Sequence, residues 1–273
     1  MPVGNILEIE LLVWYLLCMT NQERKQKIIE LVSRNKSIQV TQLTSLFGVS
    51  VMTIRRDLDE LEKKHYVKRV YGGAVLNEDE LNKPYFPRAA INSSIKDLIA
   101  KKAVELVKDG DTIILDLGTT VLQVSKHLDG IKDLSVITCS IPVINELEVY
   151  SDLRVYALGG ELHRENHAFL GSETESAINM YCADIAFIGV AGISMEHGLT
   201  NFYYPTASLC RKIIKQSKMV VLLADSSKFC KTKTAVVGNL SVIDAIITDT
   251  GIPQDYLQEF ERLGVKVIQV ENV

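Results

Sequence analysis

The sequence predicts an α/β protein in two parts: a small N-terminal module of three helices closed by a β-hairpin, and a larger Rossmann-like domain on a mostly parallel sheet. Three observations predict it. Two short helical patterns meet at Gly48 and are followed by a basic β-rich run around Gly72-Gly73. From about residue 93, short apolar β runs alternate with helical patterns, which implies a parallel sheet covered on both faces. The charge is also uneven. Met19 to Leu76 holds eleven cations and six anions, +5, which leaves −9 for the rest of a chain of net charge −4. A basic end on an acidic body points to a nucleic-acid-binding module joined to something else.

The 273 residues allow two domains, and 47% hydrophobic with 23% charged content is ordinary for a globular protein. Cys18, Cys139, Cys182, Cys210 and Cys230 are scattered without a C-x-x-C pair, which fits neither a zinc site nor a disulfide framework. Free thiols in a reducing cytoplasm are the simple reading. Residues 1–18 stand apart. Ile6 to Cys18 is mostly apolar but too short for a membrane span of about 20 residues. It also lacks the charged start and small-residue cleavage site of a signal peptide. The expectation is that 1–18 is a non-native extension and the protein starts at Met19; the alternative is a short membrane-associating or packing helix.

Residues 19–76 read as one module. Asn21 to Asn35 is helical, with Ile28, Leu31 and Val32 on one face. Ile38-Gln39-Val40 reads as a short strand, and Thr41 as the cap of a second helix that buries Leu43, Leu46 and Phe47. Gly48 ends that helix, since glycine accepts the left-handed turn required there. Ser50 caps a third helix, in which Ile54, Leu58 and Leu61 fall at i, i+4 and i+7 and face inward. Two short helices joined by a tight glycine turn make a helix-turn-helix, and the first residues of the second helix are those that reach base edges in a major groove. Ser50, Met52, Thr53, Arg55 and Arg56 are therefore the candidate DNA-binding residues of the helix. Val67 to Leu76 reads as a hairpin turning at Gly72-Gly73, and a basic hairpin directly after such a helix is a wing. Lys68 and Arg69 are expected on phosphate, with Tyr71 at the tip. The bland reading, a solvated helix with two surface arginines and an ordinary hairpin, loses weight once helices, hairpin and charge coincide. The partner implied is double-stranded DNA.

Residues 77–92, polar with Pro84 and Pro87, read as a linker. Residues 93–273 carry the α/β pattern. Helices are expected over 95–107, 118–128, 142–149, 173–180, 208–216 and 256–262. Strands are expected over 112–117, 134–138, 154–158, 185–190, 219–224, 245–248 and 265–270. In open sheets of this kind ligands sit at the carboxyl ends of the strands. There stand Asp116 with Gly118-Thr119-Thr120, Gly159-Gly160, Gly192, and Lys228. Amides and hydroxyls at the Gly-Thr-Thr helix start suit a phosphate, and Lys228 adds a positive charge. The glycines are expected to let a ligand approach the backbone. His163 and His167 read as exposed residues of a polar loop. No Ser/His/Asp or metal-ligand spacing is seen, so no catalytic residue, metal or cofactor is assigned.

These residues resemble the DeoR family of bacterial transcription regulators from about Asn21 to Val270. The resemblance rests on Arg24 and Ile28, on Ser50-Val51-Met52-Thr53-Ile54-Arg55-Arg56-Asp57-Leu58, and on Arg69-Val70-Tyr71-Gly72-Gly73-Ala74. In the second part it rests on Asp116-Leu117-Gly118-Thr119-Thr120, Thr138-Cys139-Ser140, Leu158-Gly159-Gly160, His197-Gly198-Leu199-Thr200 and Ala224-Asp225-Ser226-Ser227-Lys228-Phe229, and it adds Ser140 to the expected effector-binding residues. It implies a sensor domain similar in fold to ribose-5-phosphate isomerase and glucosamine-6-phosphate deaminase. It also implies a cytoplasmic repressor of a carbohydrate operon, switched by a phosphorylated sugar and acting as a dimer or tetramer, with no membrane partner. The sequence departs from the family pattern at Tyr71, Cys139, Ala191 and Asn201 to Ala207. Most of these positions belong to the sugar side of the pocket and leave the phosphate loop intact. The competing readings are an isomerase or deaminase with an appended DNA-binding module, and a second domain that serves only oligomerisation.

Overall fold

The computed structural model describes residues 20–64, 66–76 and 85–271. The expected extension over residues 1–18 and the first part of the expected linker lie outside the described residues. The chain divides into two compact units between Ile91 and Asn92. Among the described residues no helix is long and apolar enough to cross a membrane.

The first unit starts with α1 (Asn21–Asn35), whose capping box pairs Thr20 with Glu23. Strand β1 (Ser37–Gln39) leads straight into α2 (Val40–Phe47), and α3 (Val51–Lys63) follows Gly48 in its left-handed conformation at φ 63°. Helix α2 starts earlier than expected, and Thr41 is not its cap. The Gln39 N–H donates to Gln42 Oε1 at 3.0 Å, and the Val40 N–H reaches the Gly72 carbonyl at 2.8 Å. Strands β2 (Val67–Val70) and β3 (Gly73–Leu76) form the hairpin, and β3 lies between β1 and β2. The turn is Tyr71-Gly72 rather than Gly72-Gly73. Gly73 lies inside β3, where a Cβ would stand 2.2 Å from the Ile38 carbonyl oxygen. Ile28, Val32, Leu43, Phe47, Ile54, Leu58 and Leu61 form the core of this unit. The linker expectation is corrected at its second half. Helix α4 (Tyr85–Ala90) packs on α1, with Tyr85 fully buried. Pro87 falls in the first turn of α4, where a missing N–H costs no helical hydrogen bond.

The second unit is a seven-stranded sheet ordered β15-β14-β12-β9-β4-β5-β6, with every neighbouring pair parallel. Its strands are β4 (Thr112–Leu115), β5 (Ser135–Thr138), β6 (Arg154–Ala157), β9 (Ala183–Ile188), β12 (Ser217–Leu223), β14 (Ala245–Asp249) and β15 (Lys266–Val270). The helices α5 (Ser93–Val104), α6 (Thr119–Ser125) and α7 (Ile141–Leu147) bury one face. The helices α8 (Ser172–Ile178), α9 (Tyr204–Lys215) and α10 (Gln254–Leu263) bury the other. Side chains of successive strand residues enter opposite cores, which is why the strands read as nearly continuous apolar runs. The chain runs from β4 outward through β5 to β6, then returns to β9 on the other side of β4 and continues to β15. The order reverses between β4 and β9.

Two features went unseen in the sequence. A hairpin of β7 (Glu161–His163) and β8 (Ala168–Leu170) follows β6, and an antiparallel sheet joins β10 (Gly192–Ser194), β11 (Gly198–Asn201) and β13 (Ala235–Gly238). These strands are three or four residues long, too short for an alternating pattern to show. Helix α9 also begins at Tyr204 rather than Ser208, with Pro205 in its first turn.

Candidate functional site

The outer face of α3 is the candidate nucleic-acid surface. Ser50 Oγ accepts the Thr53 N–H at 3.1 Å and lies 2.9 Å from Thr53 Oγ1, so both hydroxyls are committed to the helix start. Met52, at 74% exposure, projects outward, and Arg55 and Arg56 are exposed with it. Met52 and Arg55 share a helix face, being three residues apart. Arg56 Nε stands 3.6 Å from Glu60 Oε1, a loose surface pair that leaves the guanidinium available. On the wing, Lys68 and Tyr71 are exposed. Arg69 is placed differently from the expected phosphate contact. Its guanidinium pairs with the Asp59 carboxylate, and its N–H donates to Glu62 Oε1 at 2.7 Å, so it ties the wing to α3.

A buried ion pair sets the pose of α3. Arg24 Nε of α1 meets Asp57 Oδ2 of α3 at 2.6 Å, with side-chain exposures of 11% and 2%. Sequence reasoning missed this role, although the signal was present: Asp57 lies on the inward face beside Ile54, Leu58 and Leu61.

The second candidate site lies where the strand order reverses, at the carboxyl ends of β4 and β9, the place where open α/β sheets bind ligands. The two connections touch there: a Cβ on Gly118 would stand 3.5 Å from the Gly189 Cα. Asp116 follows β4 and is 3% exposed. Its Oδ2 accepts the Gly189 N–H at 3.3 Å, while Oδ1 has no hydrogen-bond partner within the protein. Burial pushes the Asp116 carboxyl up to about 6, against the pull of the Leu117 and Gly189 amides. Thr119 and Thr120 are buried in the first turn of α6, whose amides have no intrahelical acceptors. Ser140, just after β5, is fully buried and its Oγ also lacks a partner. Between the two, burial and then the Asp116 charge push the Cys139 thiol up.

Beyond β12, Asp225 caps the turn that carries Lys228, accepting the Ser227 N–H at 3.1 Å. Burial works to raise Asp225, but the Lys228 charge, the Ser227 hydroxyl and the Lys96 charge outweigh it and hold the carboxyl below its usual range. Lys228 is thus shared with a carboxylate of its own turn. Lys96 and Asn92 were missed by the sequence reading. Lys96 is 3% exposed, and Asn92 Nδ2 donates to Asp225 Oδ1 at 3.2 Å. The signal was a lysine at i−3, i−4 and i−7 from Ile99, Ala100 and Ala103, on the buried face of α5.

The glycines need a correction. Gly160, at φ 148°, packs against the protein itself, since a Cβ there would meet Thr174 Oγ1 at 2.1 Å. At Gly192 a Cβ would meet the Lys231 carbonyl oxygen at 2.5 Å. Chain-to-chain contact, not ligand approach, requires glycine at both; Gly159 alone of the three opens onto free space. The histidines are not exposed loop residues either. His163 closes β7 with 22% side-chain exposure, and His167 is half-buried in the hairpin turn. Among the described residues no group of three His, Cys, Asp or Glu side chains is placed to hold a metal ion.

Residues 24–80 match the DeoR-like helix-turn-helix domain, and residues 91–250 match the DeoR C terminal sensor domain. The chain is 36% identical over 255 residues to the HTH-type transcriptional repressor GlcR of Bacillus subtilis, covering 93% of this chain and 98% of that one. It is 34% identical over 240 residues to the glycerol-3-phosphate regulon repressor of Escherichia coli K12, covering 88% and 95%. It is 34% identical over 234 residues to the transcriptional repressor AccR of Agrobacterium fabrum, covering 85% and 91%. Among solved structures, ribose 5-phosphate isomerase A of Methanocaldococcus jannaschii aligns with a TM-score of 0.39 at 23% identity, over 51% of this chain and 56% of that one.

Proposed function

The chain belongs to the DeoR family of transcription regulators, and from that premise we propose that it represses a carbohydrate-metabolism operon and releases it when a phosphorylated sugar binds. It is a DNA-binding regulator with a helix-turn-helix and a sensor domain, and its relatives are repressors rather than enzymes. DNA is read by Met52, Arg55 and Arg56 of α3, with Lys68 and Tyr71 on the wing beside them. The effector lies across the β4–β9 reversal. Its phosphate is held by the Gly118-Thr119-Thr120 turn and Lys228, and its sugar faces Asp116 and Ser140. The protein acts in the cytoplasm as a homo-oligomer whose two α3 helices dock on half-sites about 34 Å or a multiple apart.

The observation that supports this reading best is the pair of buried, unpartnered oxygens, Asp116 Oδ1 at the strand reversal and Ser140 Oγ at the end of the adjacent β5. Buried polar atoms without partners are rare and costly, and two at a ligand-binding position are explained by a hydroxyl-bearing ligand. The test is operator binding with and without a panel of sugar phosphates, the operator being selected from genomic fragments. Wild type should lose affinity with one of them. Lys228→Ala should bind operator as tightly as wild type and no longer respond. A wild type indifferent to every phosphorylated sugar defeats the sensor reading.

A further inference from the structure

We propose that Met52 reads the 5-methyl group of an operator thymine, so that the first turn of α3 selects a T·A pair one or two base pairs from the pair that Arg55 contacts. The inference rests on the DNA-reading surface proposed above and adds the base that the helix start recognises.

The first turn of a helix docked in the major groove is the part that reaches base edges. In α3 the polar side chains of that turn are turned to the helix itself. The Ser50 and Thr53 hydroxyls lie 2.9 Å from each other, and Ser50 Oγ also accepts the Thr53 N–H at 3.1 Å. Ile54 is fully buried in the core of the unit. What is left facing outward is apolar: Val51 at 44% exposure and Met52 at 74%. A single exposed apolar side chain needs no explanation. Two in succession, in the turn that meets base edges, call for an apolar partner there.

The chemistry of the groove names that partner. Every base pair shows hydrogen-bond donors and acceptors in the major groove, and thymine adds the one apolar group, its C5-methyl. A thioether chain has no N–H or O–H to donate and only a weakly accepting sulfur, so it does not discriminate among polar edges. Pressed on the polar edge of a G·C pair, Met52 would strip water from it and return no hydrogen bond, which is costly. Against a methyl group it loses nothing, and its unbranched, flexible chain adapts to the contact. Met52 shares its helix face with the exposed Arg55, three residues on. Cβ atoms at that spacing stand about 5–6 Å apart. Successive base pairs are about 3.4 Å apart along the duplex, so the two side chains reach pairs one or two steps from each other.

The test is gel-shift titration of the full chain on its operator, with each thymine of one half-site replaced in turn by deoxyuridine. That replacement removes the methyl group and keeps the base pairing. At one position it should weaken wild-type binding roughly fourfold, the worth of one buried methyl group. Met52→Ala should bind the thymine operator more weakly than wild type and lose nothing further with deoxyuridine at that position. Met52→Leu, still apolar, should keep the preference for thymine. Met52 is exposed and alanine favours a helix, so the substitution spares the fold. The proposal is overturned if no thymine of the half-site shows a methyl dependence, or if Met52→Ala retains the wild-type dependence. Wild-type operator binding by both Arg55→Ala and Arg56→Ala would instead defeat the surface itself, and this inference with it.

Discussion

Replacing Asp57 by alanine tests what holds the recognition helix in place. The Arg24–Asp57 pair closes at 2.6 Å, with 11% and 2% of the side chains exposed. Removing the carboxylate leaves the Arg24 guanidinium buried without its partner, which costs about 3–5 kcal/mol. A small module has little to spare, since whole domains are stable by only about 5–15 kcal/mol. Asp57→Ala should therefore open α3 readily, and the backbone amides of Ile54, Leu58 and Leu61 should exchange with solvent at least a hundredfold faster, the factor that about 3 kcal/mol gives. Operator binding should fall with it, although Asp57 faces inward. The double variant Arg24→Met/Asp57→Leu removes both charges and leaves an apolar contact of similar volume, so slow exchange should return. Hydrogen exchange on the full chain measures this, with gel-shift titration alongside. Unchanged exchange in Asp57→Ala, or faster exchange in the double variant than in the single one, would refute the reasoning.

Arg55→Ala and Arg56→Ala should each weaken operator binding by about 1–3 kcal/mol if the lost contact is a bidentate base contact, and wild-type gel shifts in both would exclude the assignment. Lys68→Ala should weaken binding to all sequences alike and lower the salt slope by about 1, whereas Arg69→Ala, tied to Asp59, should leave the slope unchanged in salt-titrated gel shifts. Asp116 has a folded pKa of about 6 against 3.8, so the folded state binds its proton more tightly. Its contribution therefore lowers stability as pH rises between those values, by about 3 kcal/mol in all. Relative to wild type, Asp116→Asn should gain stability in urea unfolding as pH goes from 4 to 7; a constant difference would show that the carboxyl is not desolvated.

Much of this was legible, and the reasons are local. Helix α3 declared itself through the spacing of Ile54, Leu58 and Leu61 and the cap at Ser50. Gly48 marked the corner because only a left-handed residue closes that turn. The sheet strands showed as apolar runs because both faces are covered. What stayed hidden depends on distant partners. The strand reversal between β4 and β9 is a matter of order, which periodicity does not carry. Gly160 and Gly192 looked like ligand approaches because Thr174 and Lys231, which fill the space, lie elsewhere in the chain. Arg69 looked like a phosphate contact because nothing local pairs it with Asp59. Helix α4 was masked by prolines, and the β7–β8 hairpin by its short strands, and with that hairpin went the placement of His163.

Ser140 is the most informative single position of the proposed effector site. Its side chain is fully buried and its Oγ has no hydrogen-bond partner. It stands at the N-cap of α7, where serine usually helps by accepting an amide, yet it makes no such bond. Ser140→Ala therefore forfeits no cap interaction, and it removes a hydroxyl whose unmatched burial costs about 1–3 kcal/mol. The variant should melt at a temperature equal to or above wild type, against the usual direction of core substitutions. A sugar phosphate that stabilises wild type by binding only its folded state should stabilise Ser140→Ala less, because the hydroxyl partner is gone. The paired readout is thermal unfolding with and without ligand. A melting temperature well below wild type would mean that the hydroxyl serves the fold, and an undiminished ligand shift would remove Ser140 from the site.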